Sequence, residues 1–471
     1  MSFKKKIIRN ISFVSLGEAI SSLLSYFLIV YIARILGSVG LGVYSFAFAF
    51  VGLFAFFYDF GISTFFIKEV SNNRKNTEKY FGNYAALKLI FCIVAMLLPM
   101  ISILFLKRSL DVIVIVYLAA ISFFFQNYSY VARNTFQAYQ EMWYDAFVRI
   151  IERVMAFALG LYVFYKGYGL TAFLFALVFS NFVALIVSIL LLKRLKVKFT
   201  LNVDFSLWKN ILKTSWPFWL SVVFVQIYFQ VDTVMLSFMK GYEATGLYNA
   251  AYKLINVITK IPWIVILVLF PVMSELYANL SHDLLKKILE KGIHIMIILS
   301  LPLIAGTALL ADRIVFFIYK EGFRSSAVVL QILILTTLFL FLSNIIGWFL
   351  NAINMQKIFA YTTGVSLIIN VVLNSMLIPH FSYIGASIAT VITAIINFLL
   401  LYYFSVKSGY PTSILKIITK PLIASVAMGA FIFLFGKELH LLILVPLSAV
   451  LYFLLLALMG DIKKDDFKGI F

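Results

Sequence analysis

With a single cysteine, Cys92, this sequence has no internal disulfide. Cys92 lies in an apolar run and reads as a small core residue. Four scattered histidines, His282, His294, His380 and His440, offer no metal-ligand spacing. No G-x-x-x-x-G-K-[ST] run is present to cradle a nucleotide phosphate, so ATP hydrolysis within the chain is not expected and no cofactor is implied. Charged residues make up only 13% of the 471 positions, and no stretch between apolar runs is long enough to fold as a soluble domain. These absences remove most enzyme and nucleic-acid readings, because any chemistry must lie inside a membrane or on thin loops beside it.

What is abundant is apolar length. Hydrophobic residues are 63% and aromatic residues 17% of the chain, and the mean hydropathy is +1.02, far outside the range of soluble globular proteins. Stretches of roughly twenty apolar residues recur, the length needed to cross a bilayer as helix. The spans read as 11–33, 40–64, 82–105, 111–132, 146–166, 169–193, 214–238, 246–272, 289–311, 325–350, 358–379, 383–406, 413–435 and 439–460. The fold class expected is therefore all-α, a polytopic integral membrane protein with about 14 transmembrane helices. The first run, from Ile11 to Ala33, exceeds a signal-peptide core and reads as a retained span.

An even number of spans puts both termini on one side. Of the 39 Lys and Arg, 24 fall on the joints and tails of that side and 9 on the opposite joints, which predicts cytoplasmic termini in a cell (inner or plasma) membrane protein. The net charge of +19 is thus a topology signal spread over many joints, not a nucleic-acid patch.

The joint from Leu195 to Lys213 carries four basic residues near the middle of the chain, and Lys193 and Arg194 stand just before it. Around it the sequence repeats. Gly37, Gly42 and Tyr44 reappear 204 positions later as Gly241, Gly246 and Tyr248, and Gln137-Ala138-Tyr139-Gln140 faces Asn351-Ala352-Ile353-Asn354 at 214. Gly169 and Asn181 match Gly385 and Asn397 at 216. The expected organisation is a six-helix bundle over 1–194, a basic cytoplasmic linker over 195–213, a repeat of the bundle over 214–406, and two additional helices with a cytoplasmic tail over 407–471. Both bundles start in the same direction, so they form a parallel repeat, and a cleft between them would suit alternating access.

Ionisable groups at membrane depth are costly, and each needs a partner, water or a function. Asn249, Lys253, Asn256 and Lys260 recur at i, i+4, i+7 and i+11, one face of a helix, and read as the lining of a wet interior. The plainer alternative is that the lysines snorkel or pair while the asparagines join helices. Pro262 marks a kink. Asp145, Arg149, Glu152 and Arg153 open the fifth span near Arg133, where Asp145 and Arg149 read as a surface i,i+4 pair. Arg149, Arg133 and Lys88 are further substrate-contact candidates. Glu18, Asp59 and Asp232 are acids within spans, candidates for coupling to protons or sodium unless pairing with Lys88, Arg149 or Lys253 accounts for them.

The basic amino end, Ala33-Arg34-Ile35-Leu36-Gly37 running into Gly42-Val43-Tyr44, and Gly246-Leu247-Tyr248-Asn249-Ala250-Ala251-Tyr252-Lys253 resemble polysaccharide flippases of the Wzx type, in the multidrug/oligosaccharidyl-lipid/polysaccharide exporter superfamily. The resemblance implies a twelve-helix, V-shaped pair of bundles plus two extra helices. It implies a flippase that moves polyprenyl-diphosphate-linked oligosaccharide, an O-antigen, capsule or other surface unit, from the cytoplasmic to the outer leaflet. The driving force would be protons, sodium or membrane potential, and polysaccharide assembly proteins are possible partners. Lys253 then becomes the first choice for holding the diphosphate, with Lys260 and Arg149 behind it and Asn249 and Asn256 bonding phosphate or sugar. Lipid II flippases look similar around Ala33 to Gly37 but carry an additional arginine where this chain has Leu28, which disfavours a peptidoglycan precursor. Two other readings remain: a multidrug or cation antiporter of the same superfamily, which needs an acidic cavity, and a membrane polysaccharide polymerase, which needs an extramembrane domain.

Overall fold

The computed structural model describes the backbone of residues 3–74 and 77–461, with the side chains of 17–74, 77–213, 219 and 223–461. Among these residues there are helices and no strands. The helices are α1 (Phe3–Gly52), α2 (Ile62–Asn72), α3 (Thr77–Leu104), α4 (Leu110–Ala138), α5 (Met142–Tyr165), α6 (Leu170–Leu192), α7 (Phe205–Ile258), α8 (Ile261–Ala278), α9 (His282–Tyr319), α10 (Ser326–Leu333), α11 (Thr336–Ala352), α12 (Gln356–Lys407), α13 (Ile414–Phe435) and α14 (Leu441–Leu458). Among the described residues ten helical stretches are long and apolar enough to cross a membrane, so the chain is a multi-pass membrane protein. α5, which carries Asp145, Arg149, Glu152 and Arg153, is not among the ten.

Three helices run through sharp backbone breaks. α1 breaks at Gly37 (φ 68°, ψ −169°), α7 at Gly241 (φ 83°, ψ −174°) and α12 at Ser382 (φ 52°, ψ −133°), each within a joint expected between two spans. Gly37 and Gly241 are the repeat-related glycines, and both adopt a conformation that a Cβ makes costly. No heavy atom lies within 4 Å of a Cβ built on either, so the requirement for glycine is set by the backbone alone. The repeat extends to Gln140 and Asn354, both at positive φ (57° and 63°), where Glu141 N donates to Phe136 O at 2.9 Å and Met355 N to Leu350 O at 2.8 Å.

Two expected spans are interrupted. The run 40–64 is helical to Gly52, passes through a short 3-10 turn (Ala55–Tyr58), and resumes at Ile62 after Gly61. The run 246–272 stops at Ile258 and restarts at Ile261, with Pro262 in the first turn of α8, where its missing N–H has no helical partner to lose.

The contacts divide the chain into unit 1, residues 1–234, and unit 2, residues 235–471. In unit 1 the core gathers Tyr58 of the 3-10 turn, Phe66, Phe81, Tyr84, Val131 and Phe136 from α2 to α4, and Val148 of α5. Cys92 is buried there. In unit 2 one core joins Met273, Leu289, Met296, Phe341 and Phe349. A second, including Leu310, Met428, Leu444 and Tyr452, packs α13 and α14 on α9, and the Tyr452 hydroxyl donates to Ile298 O at 2.9 Å. Large apolar side chains such as Phe175, Phe179, Val426, Phe433 and Leu454 stay exposed, as expected of surfaces that face lipid.

Candidate functional site

Unit 1 concentrates charge. Arg133, near the end of α4, is 2% exposed. Its Nε donates to Asp145 Oδ1 at 2.5 Å, its Nη1 lies 3.9 Å from Glu152 Oε2, and its guanidinium stacks 4.3 Å from the centre of the Tyr130 ring. The other Asp145 oxygen accepts from Arg149 Nη2 at 3.2 Å, and Arg149 donates through Nη1 to Glu18 of α1. Glu152 Oε1 accepts from Gln126 Nε2 at 2.8 Å and lies 3.4 Å from Arg153 Nη2. Three guanidinium groups thus meet three carboxylates. The spacing 145, 149, 152, 153 presents these groups on one side of α5, where they reach α1 and α4.

Asp145 and Arg149 were expected as a surface pair, but the Asp145 side chain is only 2% exposed, so the pair belongs to a buried network. Burial changes its energetics, since removing one member of a buried ion pair leaves a charge without compensation.

A second cluster forms at the break between α1 and α2. Lys88 Nζ, fully enclosed on α3, donates to Asp59 Oδ1 at 2.6 Å. Ser63 also donates to Asp59 and lies 2.9 Å from the Tyr84 hydroxyl, which accepts from Asn134 Nδ2 at 2.7 Å. The unwound turn places Asp59 where α3 can reach it, and the pairing satisfies both charges.

Between α1, α4, α5 and α6 lies a cavity of about 290 Å3 lined by Tyr44, Ser122, Gln126, Glu152, Arg153 and Asn181. Asn181 Nδ2 donates to Ser122 Oγ at 2.6 Å. Leu28 forms part of its apolar wall.

Unit 2 has a different site on the second half of α7. Asn249 is buried and its Nδ2 donates to Thr245 O at 2.9 Å, and beside it the Tyr248 hydroxyl lies 3.2 Å from Thr390 Oγ1. Lys253 is half-buried one turn on. Among the described residues its ammonium has no hydrogen bond or ion pair. Asn256 follows on the same face and is half-buried, while Lys260 lies past the end of α7, is exposed, and precedes α8. The four-residue row read from spacing is therefore three residues on one helix and a fourth beyond a break.

Of the sequence candidates, the structure brings Glu18, Arg133 and Arg149 into one network and Asp59 and Lys88 into another. Lys253, Asn249 and Asn256 share a face of α7. Asp232 is buried in the first half of α7, 4% exposed. Gln126, Ser63, Tyr84, Asn134, Ser122 and Asn181 were not singled out as site residues. They are neutral, and only the fold shows which polar residues face a charge.

This architecture defines a fold class, one shared with solved structures of a lipid flippase and of multidrug transporters. The fold matches a lipid II flippase MurJ structure in an inward closed conformation with a TM-score of 0.78 at 17% identity, over 96% of this chain and 99% of that one. It also matches an inward-facing multidrug resistance MATE family transporter with a TM-score of 0.67 at 16% identity, over 86% and 100%. Within that class the chain belongs to the polysaccharide biosynthesis protein family, whose model matches residues 7–277. The lipid II flippase MurJ family model matches residues 154–455, which leaves out the helix that carries Leu28. Among curated proteins, the chain is 26% identical to the "Probable flippase AglR" of Haloferax volcanii over 52% of this chain and 51% of that protein. It is 24% identical to the "Probable low-salt glycan biosynthesis flippase Agl15" of the same organism over 35% and 34%. The matched stretch thus spans about half or less of these relatives.

Proposed function

We propose that the chain is a flippase that carries a polyprenyl-diphosphate-linked oligosaccharide from the cytoplasmic to the outer leaflet of the cell membrane by alternating access, without catalysing a reaction on it. The family, the names of the two archaeal relatives and the fold shared with a lipid II flippase support this reading. The observation that carries it is Lys253. In α3 to α5 the cations Lys88, Arg133, Arg149 and Arg153 all meet carboxylates. Lys253 does not. An ammonium on a span with no carboxylate beside it is costly to keep, and an anionic ligand relieves that cost. Lysine suits a diphosphate as a mobile point charge, and Asn249 and Asn256 supply amides for phosphate or sugar. Lys260 and Arg149 are secondary contacts, and the polyprenyl tail stays in lipid.

The excess of Lys and Arg on one set of joints supports cytoplasmic termini in the inner or plasma membrane. Coupling to protons, sodium or membrane potential would use Glu18, Asp59 or Asp232, the first two of which pair with Arg149 and Lys88. Polysaccharide assembly proteins are the expected partners. A cation antiporter would place a carboxylate where Lys253 stands.

Proteoliposomes loaded with a fluorescent polyprenyl-diphosphate oligosaccharide test this. The protein should accelerate its loss to an external quencher while leaving labelled phosphatidylcholine unmoved, and Lys253→Glu should abolish the acceleration. Equal movement of both lipids, or full activity in Lys253→Glu, contradicts the proposal.

A further inference from the structure

Unit 2 holds another polar cavity, which the proposed transport does not use. It has a volume of about 500 Å3 and is lined by Glu290, Lys291, His294, Lys416, Lys420 and Asp461. These residues come from the first four turns of α9, the first two turns of α13 and the position three residues past the end of α14, so the cavity opens where three spans end together. His294 Nε2 lies 2.8 Å from Asp461 Oδ2, and Lys420 Nζ donates to Met459 O at 3.0 Å and stands 4.0 Å from Asp461 Oδ1. Asp461 thereby ties α14 to α9 and α13. Among the described residues, the ammonium of Lys416 has no hydrogen bond or ion pair and lines the same cavity. Three lysines face two carboxylates in this cavity.

The same three helices become apolar beyond the cavity. A groove of about 310 Å3 is lined by Leu299, Leu303 and Leu310 of α9, Met428 and Ile432 of α13, and Phe453 of α14. Leu299 is five residues past His294, about 7.5 Å along the helix. A basic pocket at the end of the spans, followed by an apolar furrow on the same helices, has the polarity of a phospholipid.

We propose that this corner of α9, α13 and α14 binds an anionic bilayer phospholipid of the phosphatidylglycerol class, with its phosphate at Lys416 and Lys420 and an acyl chain in the groove. Anionic headgroups lie at the depth where these lysines sit, and basic pockets between spans attract them. A zwitterionic headgroup would bring its own cation against the lysines, and free phosphate would leave the groove unused. The ligand is a resident lipid and not cargo, so the inference goes beyond the transport reading and stands without it.

The test uses the purified full chain, native mass spectrometry and thermal unfolding, with phosphatidylglycerol, phosphatidylcholine or inorganic phosphate added. Phosphatidylglycerol should be retained at least about tenfold better than phosphatidylcholine, and Lys416→Ala/Lys420→Ala should remove most of that preference, as expected for about 1 kcal/mol per lysine near a headgroup. Lys209→Ala/Lys213→Ala, in the basic linker, should retain it. Equal retention of the two lipids, undiminished preference in the Lys416/Lys420 variant, or loss of preference in the linker variant overturns the site. Protection by phosphate equal to that by phosphatidylglycerol overturns the assignment to a lipid.

Discussion

Units 1 and 2 share a backbone plan and differ in their polar interiors. Each has a helix broken at a repeat-related glycine, Gly37 or Gly241, and a left-handed residue in the joint after the fourth span of its half, Gln140 or Asn354. At the shift of 214 set by that joint, Arg133 corresponds to Gly347, Asp145 to Phe359, Arg149 to Thr363 and Glu152 to Ser366. A buried ion pair in one unit is thus packed hydrocarbon in the other: a Cβ built on Gly347 would lie 3.0 Å from the Phe359 ring. Ser366 donates to Asn397 Oδ1 at 3.3 Å, so a hydroxyl and an amide stand where unit 1 has charges. The exchange also runs the other way. At a shift of 204, Lys253 corresponds to Ala49 and Asn249 to Ser45. One architecture therefore accepts either solution, and charge appears in each unit at positions where its counterpart has none. The paired charges of unit 1 have the chemistry of structural joints, whereas Lys253 of unit 2, with no ion pair among the described residues, has the chemistry of the ligand contact proposed above.

Breaking the buried pair gives the largest expected effect. Asp145→Ala leaves Arg133 buried with much of its compensation lost and should cost about 3–5 kcal/mol. Transplanting the other unit's answer, Arg133→Gly with Asp145→Phe, should recover at least half of that loss, as measured by thermal unfolding in detergent. If the double variant is less stable than Asp145→Ala, the two units are not interchangeable at this point.

The shared breaks come next. Gly37→Ala and Gly241→Ala should each destabilise by about 1–3 kcal/mol, because each forces a Cβ into a backbone region reserved for glycine. Similar losses at the two sites support the repeat, and a loss at only one denies it. Gly347→Ala should cost about 1–3 kcal/mol through its contact with Phe359, unless the ring has room to turn.

The smallest effect concerns the joint at Tyr139. In unit 1 its hydroxyl donates to Thr77 Oγ1 at 3.0 Å and Arg74 lies over its ring, whereas the corresponding Ile353 lines a cavity of about 740 Å3. Tyr139→Phe should cost about 0.5–1.5 kcal/mol, the usual worth of one such bond, and no change at all would show that the joint is held by Arg74 and packing.

Much of the fold is legible in the sequence because apolar length and glycine position are local signals. The joints at Gly37 and Gly241 and the helix break beside Pro262 follow from residue type alone. The interruption at Ala55–Tyr58 does not. That stretch is apolar and reads as continuous span, and its unwinding reflects the pairing of Asp59 with a lysine 29 positions away. For the same reason Arg133, Arg149 and Lys88 read from sequence as substrate-contact candidates, with Arg149 in a surface pair with Asp145. Their partners, Asp145, Glu18 and Asp59, become neighbours only through packing. Lys253 is visible both ways, since its helical spacing with Asn249 and Asn256 survives in α7 and no partner reaches it among the described residues.

The difference between the units is tested most directly by replacing Lys253 with its counterpart, alanine, and measuring flipping of a labelled polyprenyl-diphosphate oligosaccharide alongside thermal unfolding of the same preparation. The account predicts that Lys253→Ala loses most of the transport while its unfolding temperature is unchanged or raised, since a costly charge has been removed. Wild-type transport in Lys253→Ala, or transport lost only in proportion to lost stability, would contradict it.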